Sequence, residues 1–131
     1  MEGTFETILR EEIALLEELI ASLRQERQAI VSFSLEGLTK VNEERQEILR
    51  RLHLLEERRR GLEPRGPEDR NLLDRLRPLV SEALSRMERN RDLLSFCIGH
   101  VERSIERILT FLRREGAGEK DRLSLFVSRE V

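Results

Sequence analysis

The stretch Gly61-Leu62-Glu63-Pro64-Arg65-Gly66-Pro67 lies near the middle of a 131-residue chain and is its strongest interruption of helical rhythm. Glycine after the basic run Arg58-Arg59-Arg60 ends one helix, and the prolines block its continuation. Pro67 suits the first position of a new helix, where its missing amide hydrogen is harmless, and Glu68 and Asp69 then complement that helix start. The three arginines read as cations at a helix carboxyl end, with no need of a phosphate partner.

Upstream of this turn, Leu9, Ile13, Leu16, Ile20, Leu23 and Ile30 recur at steps of three and four, with Arg27 filling one slot. Leu38, Val41, Ile48, Leu52, Leu55 and Leu62 continue the rhythm, with Arg45 and Arg59 at polar slots. The pattern predicts helix over about residues 5–60, as one long helix or two end to end. At Ser32-Phe33-Ser34-Leu35-Glu36-Gly37 the rhythm slips to four-four, so a kink is expected at 34–37, where Ser34 can cap a restarted helix. Gly37 alone, at about 1 kcal/mol, does not force a break.

Downstream, Leu73, Leu76, Val80, Ala83, Met87, Asn90, Leu94, Ile98, Val101, Ile105, Ile108 and Leu112 predict a second helix over about 68–115. Pro78 either kinks it or marks its true start. Asn90 interrupts the apolar seam; buried there it would fix register, and at an edge it would face solvent. Gly116-Ala117-Gly118 closes the helix, and residues 116–131 read as a flexible tail or a short docking element around Leu123, Leu125, Phe126 and Val127. The expected fold is all-α, a single helical domain over 1–131 built as a long antiparallel helical hairpin or an elongated helical bundle with coiled-coil-like packing.

Composition agrees. Ala, Glu, Lys, Leu and Arg make up more than half of the chain, the bias of long helices. Aromatics are 4%, without Trp or Tyr, which leaves no platform for stacking bases. Charged residues reach 38%, yet 24 Lys+Arg against 26 Asp+Glu leave a net charge of −2 with mixed signs, so a nucleic acid partner is not expected. A lone cysteine, an acidic amino terminus and the lack of a long apolar run predict a soluble cytoplasmic chain without membrane insertion.

Little in the sequence carries chemistry. Cys97 and His100 lie one helical turn apart, but His53 has no cysteine near it, and a structural zinc takes about four ligands. Cys97 falls beside Leu94 and Val101, where cysteine serves as a small hydrophobe. The carboxylate pairs Glu11-Glu12, Glu17-Glu18, Glu43-Glu44 and Glu56-Glu57 read as exposed, solvated helix faces, with i,i+4 ion pairs such as Glu47 with Arg51. No catalytic residue, metal or cofactor is expected, and an enzyme is not the reading.

What stands out is apolar excess at two places. Ile8, Leu15 and Leu19 add to the first seam, and Leu93, Phe96, Leu109 and Phe111 add to the second. In a hairpin turning near Pro64 these regions would face each other at the open end, with more apolar surface than the hairpin can bury. The cover would be a client helix, a second copy of the chain, or a third helix made by bending at Ser34 to Gly37.

Particular runs also resemble a family. Leu15-Leu16-Glu17-Glu18-Leu19 through Glu26-Arg27, then Ser34-Leu35-Glu36-Gly37-Leu38, Glu44-Arg45-Gln46-Glu47-Ile48-Leu49-Arg50-Arg51-Leu52 and Leu55-Glu56-Glu57-Arg58-Arg59 are similar to the first helical region of FlgN-family flagellar export chaperones. Asn90-Arg91-Asp92-Leu93-Leu94 through Val101 and Ile105 resembles that family's second helical region. The resemblance implies a cytoplasmic chaperone that holds the carboxy-terminal amphipathic helix of hook-filament junction proteins of the FlgK/FlgL kind and delivers them to the type III export gate. It puts the client site on the carboxy-terminal half, at Leu94, Ile98, Val101, Ile105, Leu109, Phe111 and Leu112, together with the tail. A tyrosine that family members often carry near the end of the last helix, associated with gate docking, is absent here, where Phe111-Leu112 stands. The family's usual lysine in the second run is Arg45. The alternative to a chaperone is a structural homodimeric coiled coil without a client.

Overall fold

The computed structural model describes residues 4–115, and these form three α-helices: α1 (Phe5–Val31), α2 (Leu35–Arg60) and α3 (Pro67–Glu115). The tail expected at 116–131 lies outside the described residues. The chain divides into two compact units, residues 1–93 and residues 94–131, each described by itself.

Local chemistry sets the helix ends. Thr4 caps α1 by accepting from the Thr7 amide at 3.1 Å, and Ser34 caps α2 by accepting from the Gly37 amide at 3.0 Å. Arg58, Arg59 and Arg60 occupy the last turn of α2 before Gly61, as their place beside the turn implies. Pro67 opens α3, and the buried Asp69 carboxylate accepts the Arg65 amide at 2.8 Å, holding the loop against the helix start. Gly66, at φ 124°, takes a conformation that only glycine adopts without strain. The helix runs through Pro78 without interruption, so its start is Pro67.

Between α1 and α2 the structure replaces the expected kink with a full reversal. The Ser34 amide donates to the Ala29 carbonyl at 2.9 Å and the Phe33 amide to the Ile30 carbonyl at 3.1 Å, which is the Schellman arrangement. The residue in the left-handed position is Phe33, φ 54°, where glycine is the usual occupant. Ser32 Oγ adds a hydrogen bond to the Gln28 carbonyl at 2.7 Å. Gly37 then lets α2 pass close to α1, since a Cβ there would lie 3.1 Å from the Ala29 Cβ and 2.9 Å from Ser34 Oγ. Residues 5–60 are therefore two helices of 27 and 26 residues, and of the two architectures expected the bundle is the one formed within the first unit.

Cross-helix pairs define its directions. Glu12 meets Arg59 and Glu26 meets Arg45, so α1 and α2 are antiparallel. Arg10 meets Glu68 at 3.0 Å and Arg24 meets Glu82 at 4.0 Å, so α1 and α3 are parallel. The helix between two neighbours is α1. It supplies Phe5, Ile8, Leu9, Ile13, Leu15, Leu16, Leu19, Ile20 and Leu23 to the core, against Ile48 and Leu55 from α2 and Leu72, Leu76 and Ala83 from α3. The apolar excess at Ile8, Leu15 and Leu19 has the internal one of the three covers expected, the third helix made by bending near Ser34: all three are buried because α1 has two apolar faces, one for each neighbour.

Candidate partner-binding surface

Asn90 marks the last buried residue of α3 in the first unit. Its Nδ2 donates to the Leu23 carbonyl at 2.8 Å and to Glu26 Oε1 at 2.9 Å, and Glu26 also accepts from Arg45. One carboxylate thus ties all three helices, and the buried amide has a partner that apolar residues could not supply. The register role considered for Asn90 finds its geometry here: moving α3 by a turn would strand the amide.

Residues 94–115, the described part of the second unit, are helical throughout. At ~100° per residue, Leu94, Ile98, Val101, Ile105, Ile108, Leu109 and Leu112 project into one arc about 100° wide. Ile98, Ile105 and Ile108 are 51, 52 and 51% exposed and Val101 is 42% exposed, while Leu94, Leu109 and Leu112 are partly buried. This is a wide apolar stripe with its branched side chains in water. Phe111, 60% exposed, lies outside the arc, about 110° from its centre. Phe96 is on the opposite side of the helix and 67% exposed.

Six of the seven residues expected to bind a partner therefore share one face, and Phe111 flanks it. Ile108, which was not among those seven, lies on the same face, as its spacing from Ile105 and Leu112 implies. A shallow hollow lined by Arg103, Glu106, Arg107, Thr110, Phe111 and Arg114 lies on the charged side, away from the stripe. A second apolar feature had no periodic signal. Val31, Phe33 and Leu35, at the α1–α2 turn, are 57, 63 and 80% exposed.

Among the described residues, no group of three or more His, Cys, Asp or Glu is placed to hold a metal ion. Cys97 is a free thiol, half-buried on the margin of the apolar arc, and His100 is exposed. An open hollow of the first unit, between Thr4–Glu6 and Gly61–Asp69, is lined by the start of α1, the start of α3 and the loop that leads into α3. Glu47 is held below the usual carboxylate range by its hydrogen bond from Arg50 at 2.7 Å, an exposed pair three residues apart on α2. No helix among the described residues is long and apolar enough to cross a membrane.

Comparisons of the chain with family models, with curated proteins and with solved structures give no match. The class that fold and surface define is an all-helical chain with a bundle unit and an exposed amphipathic helical segment.

Proposed function

We propose that the chain is a binding module for an amphipathic helix, and in particular an export chaperone for hook-filament junction proteins of the FlgK/FlgL kind. The observation that carries the helix-binding reading is the stripe of Leu94, Ile98, Val101, Ile105, Ile108, Leu109 and Leu112, whose four β-branched members are about half in water. Each buried aliphatic side chain of this size is worth about 1.5–3 kcal/mol, so a client helix laid along the stripe gains affinity from several at once. The choice of client rests on the FlgN-family resemblance alone. On this reading the chain works in the cytoplasm without catalytic residue, metal or cofactor, keeps the client's carboxy-terminal helix from assembling early, and hands it to the export gate.

Calorimetric titration of the full chain with a synthetic carboxy-terminal helix of FlgK or FlgL tests this. Ile105→Asp is expected to weaken binding at least about tenfold, the equivalent of 1.4 kcal/mol, while circular dichroism keeps its helical signal. Equal binding by the variant, or no binding by the native chain, overturns the proposal. An unfolded variant would place Ile105 in an internal core and displace the site.

A further inference from the structure

A hollow of about 580 Å³ opens along one side of the α1–α2 contact, with Glu18 and Ser22 of α1 and Glu43, Glu44, Glu47 and Arg51 of α2 in its wall. Four carboxylates thus share the wall with one guanidinium. Glu47 is gripped by Arg50 through two hydrogen bonds, at 2.7 and 3.0 Å. Arg51, the partner that i,i+4 spacing offers Glu47, enters no ion pair among the described residues, and neither do Glu18, Glu43 and Glu44. Glu43 and Glu47 lie one turn apart on α2, where like charges repel.

Exposed carboxylates are common on helices, and Ser22 is what sets this hollow apart. Ser22 is 4% exposed, and its Oγ is the one buried side-chain polar atom among the described residues without a hydrogen-bond partner. Such a hydroxyl has given up its bonds to water and regained none, a penalty that folded proteins rarely leave standing. A single side-chain torsion carries it, so turning it toward the hollow that Ser22 lines offers an acceptor to a donor bound there.

We infer that this hollow is a site for a guanidinium group, held by carboxylates of both helices and by the Ser22 hydroxyl. Divalent metal ions draw several oxygens to about 2.0–2.6 Å from one point, and no group of three or more His, Cys, Asp or Glu among the described residues is so placed. A planar cation with five N–H donors reaches acceptors set farther apart. An ammonium gathers its donors on one atom and is more strongly hydrated, so it loses more on entering. An arginine side chain of another polypeptide and a free guanidinium compound supply the same chemistry. The site belongs to the first unit and does not rest on the client reading of the stripe, which belongs to the second. Because the carboxylates are exposed, each adds little and salt screens it, so a dissociation constant on the order of 1 mM at low salt follows.

Amide NMR titration of the full chain with N-acetyl-arginine methylamide tests this, with guanidinium chloride and the matching capped lysine as comparison probes. The expected result is saturable shifts centred on Ala21, Ser22, Glu44 and Glu47, with the capped lysine at least about threefold weaker. Capped arginine binding more tightly than guanidinium chloride assigns the source to a polypeptide, and equal binding assigns it to a small molecule; both support the site. Ser22→Ala is expected to weaken capped arginine about three- to tenfold and, by removing an unpaired buried hydroxyl, to raise the melting temperature of the unliganded chain by about 1–3 °C. Glu44→Gln is expected to weaken binding about twofold with the fold unchanged. Shifts spread over every acidic surface, equal binding of capped lysine, or unaltered binding by Ser22→Ala overturns the inference. A lower melting temperature for Ser22→Ala overturns it too, since the hydroxyl would then already have its partner.

Discussion

In α1, Leu9, Ile13, Leu16, Ile20 and Leu23 are sealed in the core, whereas Ile98, Val101, Ile105 and Ile108 carry the same three-four spacing and remain about half exposed. The two regions differ less in their own apolar content than in what covers them. α1 has α2 on one side and α3 on the other, so even its extra residues Ile8, Leu15 and Leu19 are buried. An apolar stripe on a helix is thus a requirement for cover, and whether the cover is internal is decided elsewhere in the chain.

The comparison breaks most visibly under truncation. Leu23→Ala, at a side chain 1% exposed, should destabilise the first unit by about 2–5 kcal/mol in denaturant unfolding, whereas Ile105→Ala should change stability by less than about 0.5 kcal/mol. Comparable losses at both sites would mean that the stripe is internally covered and that the contrast is false.

Charge inside the bundle gives the next effect. Glu12 is 4% exposed and takes its hydrogen bond from Arg59 Nε at 2.8 Å. Arg59→Met should cost about 2–4 kcal/mol by leaving that carboxylate unpaired, and Glu12→Leu with Arg59→Met should recover most of it. If the double variant melts as low as the single one, the pair contributes packing beyond its charge.

A smaller effect of opposite sign is expected at the reversal. Phe33 holds φ 54° with its ring largely in water, so Phe33→Gly should stabilise the first unit by about 0.5–1 kcal/mol in thermal or denaturant unfolding. A loss would show that the ring packs in a way that outweighs the strained backbone.

The smallest concerns the exposed surface of α2. Glu47 has its carboxyl pKa lowered by Arg50, so its stabilisation is present above the unfolded carboxylate range and is lost as pH falls through the folded value. Both partners are more than half exposed, so Glu47→Gln should leave the melting temperature at pH 7 unchanged within error. A clear drop would give the surface pair a weight that solvent screening does not allow.

Much of the fold was legible because its signals are local. The Gly61–Pro67 turn and the opening of α3 at Pro67 with Glu68 and Asp69 behind it follow from the conformations that glycine, proline and capping residues allow. Six of the seven stripe residues were grouped by spacing alone, since helical periodicity puts them on one face wherever the helix stands. The exposed Val31, Phe33 and Leu35 were not legible, because no periodic rule says how a turn will present its side chains.

The sequence by itself determined an all-helical chain, its central turn, and the amphipathic character of each helical run, because these depend on residues a few positions apart. Only the tertiary structure decided that Ser32 to Ser34 is a reversal and that α1 lies between α2 and α3 with both faces covered. Local energies there are nearly balanced: a left-handed phenylalanine opposes the turn, while the Ser32 and Ser34 hydrogen bonds and the close approach at Gly37 favour it. The choice passes to the burial of nine apolar side chains of α1 against helices that begin up to some sixty residues away, a sum that no short window of sequence contains.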